Sequence, residues 1–148
     1  MAITILESIE KNKFVERKPN RKDEQFYYKG IWWNISNMLQ YIQEKGIKPR
    51  EYPIDLLRND NVEVDELYAM TADTTKPGIV IQLTPEFTLL VDGHHRMKRA
   101  ITENHSDFKA YHLGMNEHVH FITDKESLKY LRLLIGKSNL NVQKKAAN

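Results

Sequence analysis

The run Gly93-His94-His95-Arg96, in the second half of this chain, combines residue types that together bind anions. Glycine lets the backbone approach a ligand closely, and an arginine guanidinium binds two phosphate oxygens at once. Two imidazoles supply hydrogen bonds or a proton-transfer group that titrates near neutral pH. Phosphate is the anion that this combination favours most.

Two predicted elements position these side chains. The apolar run 87–91 predicts a buried strand, and the spacing of Met97, Ala100 and Ile101 predicts a helix over residues 96–104. A helix N-terminus presents backbone N–H groups without partners and a partial positive charge. The glycine, the histidines and the arginine therefore stand where an anion binds best.

Each residue of this run, and the aspartate before it, has a chemical and a structural interpretation. Arg96 is predicted to clamp phosphate, or it forms a surface salt bridge at the helix start. His94 and His95 are predicted to donate hydrogen bonds to phosphate or to act as general acid and base; otherwise one is packed and the other solvated. Asp92 orients a histidine, holds Mg²⁺ bound with a nucleotide, or caps the following helix. Gly93 provides backbone approach to a ligand or is an ordinary turn glycine.

The motif Asp92-Gly93-His94-His95-Arg96, followed by a short helix, resembles the phosphate-binding box of the ParB/sulfiredoxin superfamily. The order of the flanking segments is also similar to that superfamily, over about half of the chain. These segments are an opening strand and turn at 52–58, a first core helix at 64–70, a second strand at 76–83 and a strand after the box helix at 109–113.

The resemblance implies a single α+β domain, a ParB/sulfiredoxin-like core with a small mixed sheet flanked by helices. It also implies that residues 93–96 hold nucleotide phosphates and that Lys76 lies near the nucleotide. The function that we expect is nucleotide binding with phosphoryl hydrolysis or transfer, of the nucleotidase, small-molecule kinase or nuclease type. Mg²⁺ with ATP or another nucleotide is the expected cofactor. The alternative is a non-catalytic phage- or plasmid-type binding module that acts on a host protein or on DNA.

The chain departs from the superfamily at three points. Sulfiredoxins carry a catalytic cysteine where His94 stands, and this chain has no cysteine, so sulfinic acid reduction is excluded. Partition ParB proteins continue into DNA-reading and dimerisation domains, whereas only residues 123–148 follow the core here, so a partition protein is not expected. The CTP-binding box of ParB prefers Glu-Arg-Arg at the position of His94-His95-Arg96, so the resemblance implies no selectivity for cytidine.

The remaining sequence divides into an N-terminal extension at 1–50, the core at 51–122 and a C-terminal segment at 123–148. In the extension, residues 26–33 predict a hairpin that turns at Gly30, with Phe26 and Tyr28 on one strand opposite Ile31 and Trp33 on the other. A helix at 37–45 follows, capped by Ser36 and ended by Gly46. The C-terminal segment predicts a helix at 127–135 and a disordered tail at 139–148.

The extension also has two features that suit nucleic acid. Aromatic residues of the hairpin either stack on a nucleobase or on single-stranded nucleic acid, or cover one side of the core; they are Tyr27, Tyr28, Trp32 and Trp33. A basic cluster either touches phosphates or forms a solvated arm; it consists of Lys11, Lys13, Arg17, Lys18, Arg21 and Lys22.

A metal site is a competing interpretation. In a strand, the sequence His118-Val119-His120 would place two imidazoles on one face, where His94 and His95 could join them as ligands. The spacing has no zinc signature, and the resemblance implies no structural metal. No metal ligand is therefore assigned.

Composition sets the broad class. The chain has 148 residues, 41% of them hydrophobic and 28% charged, with a formal net charge of +2. These values are typical of a globular domain, and the charge is too small to indicate a nucleic-acid binder by itself. Because there is no cysteine and no apolar run approaches about 20 residues, we expect a cytoplasmic protein without a membrane segment. A further protein partner remains open.

Overall fold

The computed structural model describes residues 14, 16–57, 69, 70, 73 and 75–147, with side chains up to residue 137. The strands are β1 (Gln25–Tyr28), β2 (Ile31–Asn34), β3 (Arg50–Pro53), β4 (Gly78–Thr84), β5 (Phe87–Asp92) and β6 (Asp107–Leu113). The helices are α1 (Ile35–Lys45), α2 (Ile54–Leu57), α3 (His94–Thr102), α4 (Met115–His118) and α5 (Lys125–Ala147), and a 3₁₀ turn spans Val119–Phe121. Most of the predicted core helix at 64–70 lies outside the described residues.

A four-stranded mixed sheet forms the centre of the molecule. Its order is β3-β6-β4-β5, in which β4 and β6 run parallel and the other neighbours run antiparallel. Strand β4 is almost entirely buried because it is an inner strand with side chains packed on both faces. A continuous apolar strand of this kind is typical of a sheet that is covered on both sides.

The two faces of the sheet bury separate apolar clusters. Ile79 and Ile81 of β4 face a cluster that also contains Trp33 of the β1–β2 hairpin and residues of α1 and α5. Val80 faces the other cluster, where Met97 of α3 packs with residues of β5, β6 and α2. Because alternate residues of a strand point to opposite faces, β4 anchors the hairpin on one side and the helix that bears the candidate site on the other.

The expectation of an α+β fold with a small sheet and helices is confirmed. The strand predicted at 87–91 is β5, and the strand predicted at 109–113 is the second part of β6. The strand predicted at 76–83 begins later, at Gly78, because residues 75–77 form a turn and a bend that end in a proline. Helix α3 begins at His94, two residues before the predicted start, and ends at Thr102.

The segment 52–58 is only in part the predicted strand and turn. Strand β3 ends at Pro53, and the short helix α2 follows directly. Ile54 and Leu57 of this helix are buried against the cluster that contains Met97. Burial of these two apolar side chains favours a helical turn over a continued strand at this place.

The predicted N-cap of α1 is wrong by two residues. Asn34 caps this helix, since its Oδ1 accepts a hydrogen bond from the backbone N–H of Asn37 at 3.0 Å. Ser36 lies inside the first turn, and its Oγ accepts from the Glu24 N–H at 2.9 Å. Both residue types cap helices well, and the direct passage from β2 into α1 selects Asn34. The predicted end is confirmed, because Gly46 adopts a left-handed conformation with φ 63°.

The C-terminal helix is longer than predicted at both ends. It begins at Lys125, because Asp124 Oδ1 accepts a hydrogen bond from the backbone of Ser127 at 2.7 Å, as an N-cap does. It continues to Ala147, where the sequence predicted a disordered tail. Residues 139–147 contain lysine, glutamine and alanine but no glycine or proline, so helical propensity permits the extension. Among the described helices, none has both the length and the apolarity needed to cross a bilayer.

Candidate functional site

The N-terminus of α3 has no side-chain cap. Its N-cap residue is Gly93, which adopts φ 98°, and the first hydrogen bond of the helix runs from the Met97 N–H to the Gly93 carbonyl at 2.9 Å. The backbone N–H groups of His94, His95 and Arg96 precede that bond and point out of the helix end. They form the positive end of the helix dipole, as the sequence predicted.

Gly93 is required for packing as well as for backbone direction. A Cβ atom at this position would lie 3.0 Å from Nη2 of Arg96 and 3.0 Å from Cα of Gly78. The missing side chain thus makes room for the guanidinium on one side and for strand β4 on the other. The sequence predicted approach to a ligand or an ordinary turn, and the structure adds this close packing inside the protein.

The guanidinium of Arg96 is folded back over the helix N-terminus. Its Nη2 donates to Oδ2 of Asp92 at 3.2 Å and to the Pro77 carbonyl at 3.3 Å. Its Nε is buried and has no partner among the described residues, and the side chain is 21% exposed. An unsatisfied buried donor is costly, so an acceptor from a ligand would be favourable here. Arg96 therefore forms a salt bridge, with Asp92, as the structural interpretation predicted. Its Nε can still donate a hydrogen bond.

Asp92 contacts the arginine and does not cap the helix. Its carboxylate holds the guanidinium through the bond to Nη2, while the N-cap position belongs to Gly93. Its negative charge also favours the protonated form of His94. Of the three roles predicted for Asp92, capping is excluded by this geometry, the residue that it holds is Arg96 rather than a histidine, and binding of Mg²⁺ with a nucleotide stays a prediction.

His94 is a partly buried, neutral imidazole. Its ring stacks on the ring of Phe26 in β1, with centroids 5.1 Å apart and planes inclined by 17°. Burial lowers the pKa of His94 to about 4, against the opposing effects of the Asp92 charge and a hydrogen bond to the Leu90 backbone. Nε2 is buried without a partner among the described residues, which leaves Nδ1 for the Leu90 bond. His94 is therefore a hydrogen-bond acceptor at Nε2 near pH 7 and not a cationic ligand for phosphate.

His95 occupies the next position of α3 and is partly exposed. Its place in the first turn puts it at the same helix end as Arg96. The roles that the sequence assigned to it, as a phosphate donor or as a general acid and base, stay predictions.

Lys76 lies in a turn beside the site. Its backbone N–H donates to the Asp73 carbonyl at 3.3 Å, and the next residue, Pro77, is the one that accepts from Arg96. The lysine side chain is exposed. The structure thus places Lys76 in the segment that contacts Arg96, and its contact with a nucleotide stays a prediction.

Asp73 is a residue that the sequence did not single out. Hydrogen bonds from the hydroxyl and the backbone of Thr75 lower the pKa of its carboxyl, and the charges of Lys76 and Arg96 lower it further. A carboxylate therefore lies within electrostatic range of both cations. The Asp-Thr-Thr sequence at 73–75 indicates an Asx-type turn, but only the fold brings this turn to α3.

The imidazoles of the competing metal interpretation are not on a strand. His118 ends α4 and is buried, and its Nδ1 accepts a hydrogen bond from Nε1 of Trp33 at 3.2 Å. Burial lowers the pKa of His118 to about 3, so it is a neutral core residue. His120 is exposed in the 3₁₀ turn. The described residues contain no group of three or more histidine or carboxylate side chains that could hold a metal ion.

The donor set near α3 fits Mg²⁺ only when the ion arrives with phosphate. Mg²⁺ is commonly bound by one or two carboxylates together with substrate phosphates and water. Asp92 supplies one such carboxylate, with Oδ2 already bonded to Arg96.

Comparison with protein-family models, with curated proteins and with solved structures found no match for this chain.

Proposed function

We propose that this chain is a ParB/sulfiredoxin-like nucleotide-binding domain that holds a phosphate at the N-terminus of α3 and hydrolyses or transfers a phosphoryl group. The observation that carries the proposal is the guanidinium of Arg96, which is fixed beside an uncapped helix N-terminus while its buried Nε lacks an acceptor among the described residues. Helix N-termini and arginine forks both select phosphate. The order of β3, β4, β5, α3 and β6 is further support, because it agrees with the order of elements that the resemblance implies.

The proposed chemistry depends on charge stabilisation. In hydrolysis, a water oxygen forms a bond to the terminal phosphorus while the bond to the leaving oxygen breaks. Arg96 and the backbone N–H groups of α3 stabilise the charge on the phosphoryl oxygens. His95, which is partly exposed at the same helix end, takes up the proton of the attacking water. When Mg²⁺ is bound with the nucleotide, it neutralises phosphate charge, and Asp92 is the carboxylate that would hold it.

A thermal-shift panel tests the proposal. Wild type is heated with ATP, ADP, CTP or GTP, with and without Mg²⁺, because a ligand of the native state raises Tm as its concentration increases. Arg96→Gln is expected to lose the shift. Lys45→Gln removes a positive charge from the last turn of α1 and is expected to keep it.

Two further measurements keep the result interpretable. Circular dichroism of Arg96→Gln shows whether the variant is folded, and Arg96→Lys retains the charge while it removes the planar fork. A partial shift in Arg96→Lys would support the fork geometry. A Tm of wild type that no nucleotide raises would refute the proposal and favour the binding module.

A further inference from the structure

The β1–β2 hairpin separates its aromatic residues between two faces. Phe26 pairs with Trp33 and Tyr28 with Ile31, and these four pack towards the apolar cluster. Tyr27 pairs with Trp32 on the opposite face, where their exposed fractions are 52% and 41%. The pairing predicted from the sequence is confirmed. The core-covering interpretation is confirmed for the inner face, and stacking on nucleic acid stays a prediction for the outer face.

The exposed pair forms a rigid aromatic surface. The ring centroids of Tyr27 and Trp32 are 4.9 Å apart, with planes inclined by 51°. Strand pairing fixes their backbone, and the Trp32 N–H also donates to Oγ of Ser127 in α5 at 3.0 Å. These two neighbouring rings form an exposed aromatic patch that a partner could cover.

Unpaired positive charge lies next to this surface in the chain. The segment 16–24 is tied to the open end of the hairpin, because Asp23 Oδ2 accepts from the Asn34 side chain at 2.9 Å and the Glu24 carbonyl accepts from the Ile35 N–H at 2.8 Å. Four cations of this segment are exposed and form no ion pair within the described part of the chain: Arg17, Lys18, Arg21 and Lys22.

The distance between the charges and the rings suits an oligonucleotide. Lys22 precedes Tyr27 by five residues, so their Cα atoms are at most about 18 Å apart. Lys29 adds a cation at the hairpin turn, where its Nζ lies 5.4 Å from the centre of the Tyr28 ring. Lys22 and Tyr27 therefore lie within the reach of a few nucleotides.

We propose that the outer face of the hairpin, formed by Tyr27 and Trp32, binds single-stranded nucleic acid together with the exposed cations of the segment before it, Arg17, Lys18, Arg21 and Lys22. Aromatic rings stack on exposed bases, and lysine and arginine neutralise the phosphates between them. The bases of a duplex are stacked on each other, so exposed rings favour the single strand. This surface uses none of the residues of the α3 site, so it does not depend on the proposed function.

The test is the anisotropy of a labelled oligo(dT) of about 12 nucleotides at about 50 mM salt. Wild type is expected to bind, and to bind the corresponding duplex more weakly. Trp32→Ala is expected to weaken binding at least about fivefold, as the loss of one stacked base predicts. Phe87→Ala is the matched control, because Phe87 is 40% exposed at the start of β5 and lies outside the hairpin.

Charge variants test the contribution of the exposed cations to binding. The double variant Arg21→Gln with Lys22→Gln is expected to lower the dependence of affinity on salt concentration. The control, Lys45→Gln with Lys48→Gln, removes the same charge from α1 and the loop after it, and is expected to leave that dependence unchanged. Intrinsic fluorescence supplies a direct readout, since Trp33 is fully buried and only Trp32 can be quenched by a stacked base.

Four results would overturn the proposal. They are a wild type that does not bind at low salt, a Trp32→Ala variant that binds like Phe87→Ala, a duplex bound as tightly as the single strand, and a complex that Arg96→Gln abolishes while Trp32→Ala leaves it intact. Sedimentation tests whether a second copy of the chain covers this surface instead. A dimer that Trp32→Ala dissociates, with no oligonucleotide bound, would assign the rings to contacts between copies.

Discussion

Single residues at the start of α3 contribute to packing and, in the proposed function, also to phosphate binding. Gly93 allows the guanidinium of Arg96 to lie against the backbone, and Asp92 then holds that guanidinium in place. The Nε of Arg96 remains without an acceptor among the described residues. A change at one of these three residues is therefore expected to alter both stability and phosphate affinity.

Gly93→Ala is expected to destabilise the protein by about 2–4 kcal/mol, because it combines an unfavourable positive φ with an overlap against Arg96 and Gly78. Gly46→Ala is the matched control: Gly46 also has a positive φ, but a Cβ added there would meet no atom within 4 Å, so we expect about 1–2 kcal/mol. Urea denaturation measures both. Equal losses would show that Gly93 makes no room for the guanidinium.

At the scale of elements, the passage from β2 into α1 depends on Asn34. This residue caps the helix and also donates to Asp23, whereas Ser36 accepts one exposed hydrogen bond from Glu24. Asn34→Ala is expected to lower the free energy of unfolding by about 1–2 kcal/mol, and Ser36→Ala by less than about 1 kcal/mol. Denaturation midpoints show which of the two substitutions costs more stability. A larger loss in Ser36→Ala would support Ser36 as the N-cap, as the sequence predicted.

The hairpin also affects the pKa of His94 in α3, through the ring of Phe26. Its ring covers the imidazole of His94, and burial is the main cause of the low pKa of His94. Phe26→Ala is expected to raise that pKa towards its ordinary value of about 6.5, as followed by NMR titration of the ring protons. Tyr27→Ala changes the outer face of the same strand and is expected to leave the pKa unchanged. An unaltered titration in Phe26→Ala would mean that other residues bury His94.

At the scale of the whole molecule, buried histidines link stability to pH. The pKa values of His94 and His118 are lowered to about 4 and about 3, and burial also lowers the pKa of His112. The unfolded chain therefore binds more protons than the native state below about pH 6.5. The stabilisation is fully present above that pH and is lost as the pH falls towards the native pKa values.

Acid destabilisation is consequently expected to be steep between about pH 6 and pH 4.5, with His94 and His118 each contributing up to about 1.4 kcal/mol per pH unit. His118→Gln is expected to reduce the slope by about that amount, whatever its effect on absolute stability. Free energies of unfolding from urea titrations across this range provide the measurement. His120→Gln is the matched control for the substitution itself, because His120 is exposed in the 3₁₀ turn. A slope unaffected by His118→Gln would contradict the assignment of a neutral buried imidazole.

The sequence by itself determined the local elements around the site. The apolar run of β5, the helical stripe of α3 and the turn at Gly30 are patterns of neighbouring residues, and short-range sterics and periodicity control them. The proposal of anion binding at residues 93–96 also began from a local pattern, an arginine in the first turn of a helix.

Only the tertiary structure decided which of these residues meet. Burial of His94 under Phe26 joins positions 68 residues apart, and the bond between Trp33 and His118 makes His118, which belonged to the competing metal interpretation, a residue of the core. The contact of Pro77 with Arg96 likewise depends on the pairing of β4 with β5. Desolvation and cross-strand packing control these outcomes, and both depend on distant parts of the chain that no local pattern encodes.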